Sequence, residues 1–330
     1  MFRKFKILPL ITLCVLLGGC IKEDNSHCYP GVDIRFEYVR HNYGGCRFGM
    51  EVEKVTVYIF DDKEIFVGSV SESASNLRQG NTLDIRNLQD NKKYTLLTWC
   101  GDIDDFIVGT DITRPGENGG GGLTVGESTL KDFRITMRSI QQGANGGIVN
   151  DTPGPLFYGI KRNVQADPDS RTEEVITLQK NSSTIKATVT ASLSGGSKIA
   201  GDRYNIYIIG NNSIYDSSND IPAGSVDIEY VAHYYDERED KYLLEFDVLR
   251  IVEKHPLLFI IYDKTAGKVV LSKNIVNLIL EHPDYNNQEE IDNEDLFELE
   301  FKLQDEGSAG VKVTIKVNGW EIVEVFPTPL

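Results

Sequence analysis

The 330-residue sequence contains none of the short motifs that mark common catalysts. There is no Gly-x-Ser-x-Gly elbow, no Gly-x-Gly-x-x-Gly opening a helix, no Gly-x4-Gly-Lys-Ser/Thr loop and no His-Glu-x-x-His. The run Gly119–Gly122 is not followed by the Lys-Ser/Thr that a phosphate cradle needs. Metal chemistry is equally thin. No Cys-x-x-Cys spacing exists and the five histidines (His27, His41, His233, His255, His282) are scattered, so no zinc site is expected. Asp102, Asp104, Asp105 and Asp111 cluster, but at spacings that match no calcium loop, and they read as a solvated acidic turn. Neither a metal nor a cofactor is expected. Positive charge is scarce too. Thirty-four basic against fifty acidic residues give a formal charge of −16, a surface that repels phosphate, so nucleic acid is not an expected partner.

Long apolar runs are missing apart from Ile7–Leu17, which falls short of the roughly twenty residues a spanning helix needs. That run follows the basic residues Arg3, Lys4 and Lys6 and ends in Leu17-Gly18-Gly19-Cys20. The pattern is that of a lipoprotein signal peptide over residues 1–19, with the Cys20 thiol as the lipid acceptor. Removing it takes three bases and no acid, so the charge of the mature chain moves to −19. Each acyl methylene buried in a bilayer contributes about 0.8 kcal/mol, so a multiply acylated Cys20 is a lasting anchor. Residues 20–27 form the tether. Within it Lys22, Glu23 and Asp24 make a basic-acidic-acidic triplet that resembles the signal sending Bacteroidetes lipoproteins to the outer face of the outer membrane. The expected location is therefore the outer membrane, lipid-anchored and exposed at the cell surface. Of the five cysteines, Cys14 leaves with the signal peptide and Cys20 is lipidated. Cys28, Cys46 and Cys100 remain, an odd number that allows one disulfide without saying which pair forms it.

The dominant hydrophobic period is two. Phe297, Leu299, Phe301 and Leu303 alternate with Glu298, Glu300 and Lys302, and Val311, Val313, Ile315 and Val317 alternate with Lys312, Thr314 and Lys316. Each run reads as a strand with one buried and one wet face, and Gln304–Gly310 reads as the hairpin between them. The same pattern recurs at Ile34–Tyr38, at Val55, Val57 and Ile59, and at Ile185–Ala191. Further strands are expected at 94–99, 133–140, 204–209, 228–235, 242–248 and 257–262. Only Asn274–Leu280 looks helical, with His282-Pro283 to stop it. Many short strands between turn signals predict an all-β protein of sandwiches or barrels. The absence of aromatic girdles argues against a membrane barrel.

Two polar stretches punctuate the pattern: 111–128, with Pro115 and the glycine run, and 161–174, with Pro168. The second is taken as the boundary between an N-terminal domain, residues 28–165, and a C-terminal domain, residues 166–330. Each is long enough to bury a core of its own. Trp99, Trp320, Tyr234 and Tyr235 are the candidates for a glycan platform, although both tryptophans sit at ends of apolar strands, where core packing is the commoner role.

Several segments, in order along the chain, resemble the FimB/Mfa-type fimbrial anchor lipoproteins of Bacteroidales. They are Cys28-Tyr29-Pro30 before VDIRFEYV, then EKVTVYIFDDKEIFVG (53–68) and Leu156-Phe157-Tyr158-Gly159. VITLQKNSSTIKATV (175–189) and the closing VKVTIKVNGWEIV (311–323) complete the series. The resemblance implies two tandem transthyretin-like β-sandwiches, no catalytic residues, and a role in fixing a fimbria to the outer membrane and ending its growth. It also implies strand complementation as the means of contact with the first shaft subunit, through backbone hydrogen bonds and alternating apolar side chains. Cleavage after Arg35, Arg40 or Arg47 would cut an anchor from its lipid, so its first strand is expected to stay. The C-terminal segment, with Ile322, Val323 and Val325 ahead of Pro327 and Pro329, is then the expected contact. The alternative reading is a surface glycan-binding lipoprotein.

Overall fold

The structure is a computed structural model that describes residues 31–38, 48–89, 91–101, 105–110, 122–138, 141–143, 146–149, 153–167, 171–192, 204–238, 241–305 and 311–325. Its first half runs β1 (Val32–Glu37), a helical turn α1 (Phe48–Glu51), β2 (Lys54–Phe60), β3 (Phe66–Ser73), β4 (Leu83–Ile85) and β5 (Lys93–Gly101). β6 (Phe106–Gly109), β7 (Arg134–Met137), β8 (Gln141–Gly143), β9 (Gly146–Val149), β10 (Leu156–Gln165), β11 (Thr172–Thr177) and β12 (Gln179–Lys180) follow. The second half begins with β13 (Ser182–Ser192), β14 (Tyr204–Gly210), β15 (Ile214–Asp216), β16 (Ile228–Val231), β17 (Tyr234–Arg238), β18 (Lys241–Leu249), β19 (Leu257–Asp263) and β20 (Lys268–Asn274). Two short helices, α2 (Ile275–Leu280) and α3 (Gln288–Asp292), precede β21 (Leu296–Asp305), β22 (Val311–Val317) and β23 (Trp320–Val325). The protein is all-β, as its period-two pattern predicts.

A three-stranded sheet, β11-β1-β4, packs on a five-stranded sheet, β12-β10-β5-β2-β3. Between them lies a core that includes Val32, Ile34, Phe36, Val55, Val57, Ile59, Leu96, Cys100, Phe157 and Ile176. The five-stranded sheet is covered on its other face as well. Tyr58, Phe60, Trp99 and Tyr158 point away from that core and meet Ile135 and Tyr215 of a small sheet, β15-β7-β6, and Phe133 just ahead of β7. Tyr58 meets Phe133 edge-on with ring centroids 5.2 Å apart, and Trp99 lies 6.1 Å from Tyr215. The reading of β2 as half wet is therefore corrected: all six residues from Val55 to Phe60 are buried. Thr56 and the aromatic rings of Tyr58 and Phe60 were the warning in the sequence, since that face carries no charge.

In the second half, the sheet β17-β18-β13-β21-β22-β23 faces β20-β19-β14-β16-β9-β8. Phe259 and Phe301 join the two layers as a stack with centroids 4.4 Å apart and planes 8° from parallel. Such a ring pair contributes about 0.5–1.5 kcal/mol beyond its buried area. α2 begins at Asn274, whose side chain accepts a hydrogen bond from the Val276 N–H, and buries Ile275, Val276, Leu278 and Ile279 at one end of the sandwich. The single strand expected over 228–235 is two. The chain turns at Ala232-His233, so that β16 pairs with β14 and β17 pairs with β18 in the facing sheet.

The expected division at 165/166 falls between β10 and β11, and both strands have their partners in the first half. β11 is the parallel neighbour of β1, and β12 pairs with β10, so the first sandwich extends to Lys180. The polar stretch 161–174 is polar because these strands expose their outer faces. Arg162, Asn163 and Glu173, for example, are exposed. The halves are also cross-linked: β7 pairs with β15, and β9 pairs with β16.

Candidate docking edge

β23 closes the chain as an edge strand. It pairs with β22 on one side and has no strand on the other among the described residues. The β22–β23 hairpin turns on Asn318 and Gly319, whose φ values of 46° and 80° both lie in the left-handed region that a tight two-residue hairpin requires. The Asn-Gly pair was the sequence signal for this turn. It sits between two alternating runs, and the strand-by-strand reading passed over it.

The turn is pinned from below. The Asn318 N–H donates to the Glu298 carbonyl (2.8 Å), and the Glu298 N–H donates to Asn318 Oδ1 (2.6 Å). Asn318 Nδ2 donates to the Tyr285 hydroxyl at 2.7 Å, which in turn donates to Glu294 at 3.3 Å. Burial, followed by the Glu294 carboxylate, pushes the Tyr285 phenol up to about 12, so it remains a donor at any physiological pH. Beside the turn, Trp320 meets His282 edge-on at 6.0 Å, and His282 lies 4.9 Å from Tyr285. The His282 ring is oriented by the Asp284 N–H, which donates to Nδ1 at 3.1 Å. Trp320 itself is 52 % exposed and opens the edge strand with a large apolar surface.

Along β23, Val323 stands opposite Ile315 and Val325 opposite Val313, and both partners are core residues. A bulge between these pairs and Glu321 leaves Ile322 as the extra residue. The side chains of Ile322, Val323 and Val325 lie outside the description, as do Pro327 and Pro329. Cys20, Lys22, Glu23, Asp24, Arg40, Arg47, Cys28 and Cys46 also lie outside the described residues, as do Asp102, Asp104 and Asp111. Arg35 is on β1, where it bridges to Glu173 at 3.2 Å, and β1 itself is held between β11 and β4. Among the described residues no helix is long and apolar enough to cross a membrane.

The four glycan candidates do not gather. Trp99 is fully buried under Tyr158, while Tyr234 and Tyr235, 45 % and 47 % exposed, lie on β17. β17 and β23 are opposite edges of one six-stranded sheet, five strand spacings or about 24 Å apart, so Trp320 and the tyrosines cannot form one stacking platform.

The sequence model of a family described as fimbrillin-A associated anchor proteins Mfa1 and Mfa2 matches residues 25–326. Several solved structures share the fold. A putative polysaccharide binding protein from Bacteroides thetaiotaomicron superposes with a TM-score of 0.72 at 20 % identity, covering 89 % of this chain and 98 % of that one. A putative adhesin from Bacteroides ovatus gives 0.72 at 21 %, covering 90 % and 96 %. The fimbrial anchor protein Mfa2 from Porphyromonas gingivalis gives 0.72 at 17 %, covering 90 % and 100 %. No curated protein matches.

Proposed function

Because the chain belongs to the family of fimbrillin-A associated anchor proteins, we propose that it fixes a fimbria to the bacterial outer membrane and ends its growth there. In this reading Cys20 carries the lipid, and Lys22, Glu23 and Asp24 direct the protein to the outer face. The first shaft subunit adds a strand to the open side of β23, around Ile322, Val323 and Val325. No catalytic role, metal or cofactor enters the reading, and nucleic acid is not a partner.

The observation that carries it is the position of β23. Among the described residues it is an edge strand whose outer row of backbone donors and acceptors meets no other strand, opened by an exposed tryptophan. Free edges invite pairing, and a partner strand draws affinity from the main chain and specificity from alternate side chains.

Proline substitution tests this directly. Successive N–H groups of a strand point to opposite edges, and proline removes one of them. Of Glu324→Pro and Val325→Pro, one therefore breaks a bond to β22, whereas the other removes a donor from the open edge alone. The edge variant should stay folded and at the cell surface while fimbriae are shed into the medium. Normal attachment by two folded variants would take β23 out of the mechanism.

A further inference from the structure

The strands at which the chain enters each sandwich are arranged for load in a particular way. β1 runs parallel to β11 over six register pairs, Val32 opposite Thr172 through Glu37 opposite Thr177. The chain enters at the Val32 end of β1 and leaves for the second sandwich from the Thr177 end of β11. A pull applied ahead of Val32 and a counter-pull applied beyond Thr177 therefore act along the strand axis in opposite directions. The two strands can part only by sliding, with every hydrogen bond between them strained together. On its other side β1 is held by β4 over three further pairs. Ion pairs cross the same seam: Arg35 to Glu173 at 3.2 Å, and Arg171 to Asp33.

The second sandwich repeats the arrangement. β13 is entered at Ser182 and lies parallel to β21 from Thr184–Leu296 to Ser192–Gln304, nine register pairs, with β18 antiparallel on its other flank. β23 runs in the same direction as β21 and β13, so its Val325 end lies at the far end of the sheet from Ser182. Between the sandwiches, the peptide at Asn181 is held by bonds from both sides. Its N–H donates to the Leu156 carbonyl (2.6 Å), and its carbonyl accepts from the Arg250 N–H (2.9 Å). Its side chain exchanges hydrogen bonds with that of Asn219.

We propose that the protein is a tensile link whose two entry strands, β1 and β13, are shear-loaded clamps against their parallel neighbours β11 and β21. The proposal rests on the anchor reading for the direction of load, with the membrane tether ahead of β1 and the fimbria held from the second sandwich. In parallel geometry a terminal strand resists until all its bonds fail at once. A hairpin pulled from its open end loses them one at a time.

Single-molecule force spectroscopy of the full mature chain tests it, with the Cys20 lipid omitted. One geometry places handles at the two chain ends. The other places them at the N-terminus and in an insertion between Asp167 and Arg171, which pulls the paired starts of β1 and β11 apart. Forced rupture reports the unfolding barrier along each direction. The length of chain released identifies the event that frees β1. The expected force for that event is at least about twofold higher in the end-to-end geometry than in the peeling geometry. Equal forces, or a lower end-to-end force, overturn the proposal. That result leaves the docking edge untouched. Conversely, fimbriae still held after the open side of β23 is blocked would remove the edge and leave the clamps standing.

Discussion

The guanidinium of Arg250 grips the carboxylate of Asp292 with two parallel hydrogen bonds, Nε to Oδ1 at 2.8 Å and Nη2 to Oδ2 at 2.7 Å. Both side chains are about seven-eighths buried, where β12 and the loop after β18 meet α3. Arg250 Nη1 also donates to the Asn219 carbonyl, and Gln179 and Gln288 each donate to Asp292. Removing one member of such a pair strands the other's charge in a poorly hydrated place, at a cost of about 3–5 kcal/mol. Asp292→Ala should therefore lower the denaturant midpoint strongly. The double replacement Arg250→Met with Asp292→Leu should recover most of the loss, because no charge is left unpaired.

Gly101 ends β5 with φ at +111°, and a Cβ there would lie 1.7 Å from the Pro155 carbonyl oxygen. Gly101→Ala must both strain the backbone and push apart β5 and β10, for a cost above about 2 kcal/mol in equilibrium unfolding. Gly224 separates the two effects. Its φ is +87° but nothing lies within 4 Å of its would-be Cβ, so Gly224→Ala should cost only about 1 kcal/mol.

Cys100 lies fully buried in the first core as a free thiol, and burial pushes that thiol well above its ordinary range. The nucleophile is the thiolate, so Cys100 should resist iodoacetamide in the folded protein at pH 8 and react only on unfolding. Peptide mass spectrometry at rising urea concentration measures this. Ready labelling of the native protein would contradict the buried placement.

With Cys20 as the lipid acceptor of the proposed function, Cys20→Ala should move the protein from membrane to soluble fractions. Replacing Lys22, Glu23 and Asp24 with alanine should instead leave it membrane-bound but inaccessible to antibody on whole cells. Undiminished surface labelling of that variant would reduce the triplet to a solvated spacer.

Cutting the chain at 165/166 should yield two fragments that do not fold alone. The N-terminal piece lacks β11, the parallel neighbour of β1, and the C-terminal piece lacks β7 and β9, the partners of β15 and β16. Circular dichroism melts of fragments 28–165 and 166–330 should show no cooperative transition. A cooperative melt from each would mean that these cross-links are dispensable.

The strands legible in the sequence were those with one wet face. Phe297–Leu303 and Val311–Val317 alternate because their outer residues, Glu298, Glu300, Lys302 and Lys312 among them, meet water. The Asn274 cap and the Pro283 stop likewise made α2 readable. β5 is legible as a strand at 94–99, but the burial of both faces of β2 is not, because the sheet that covers its second face is assembled from β6, β7 and β15 far along the chain. The break between β16 and β17 escaped notice because Ile228–Tyr235 alternates through the corner, and the change of sheet is decided by partners far away. At the docking edge, Trp320 and the Asn318-Gly319 turn are local signals. The position of β23 at the rim of its sheet depends on which strands lie beside β21 and is written in no single segment.

The pairing of β9 with β16 also constrains the order of assembly. Ile148 must wait for Glu229, and β13 must wait for β21 to arrive at the other end of the chain. The sheets that carry β7, β9 and β13 therefore stay incomplete until strands from far along the chain are in place. Late, long-range closure of this kind slows folding and leaves strand edges bare in the interval. A chain built this way passes through an incomplete intermediate, and its yield depends on whatever keeps those edges from pairing with a neighbour too soon.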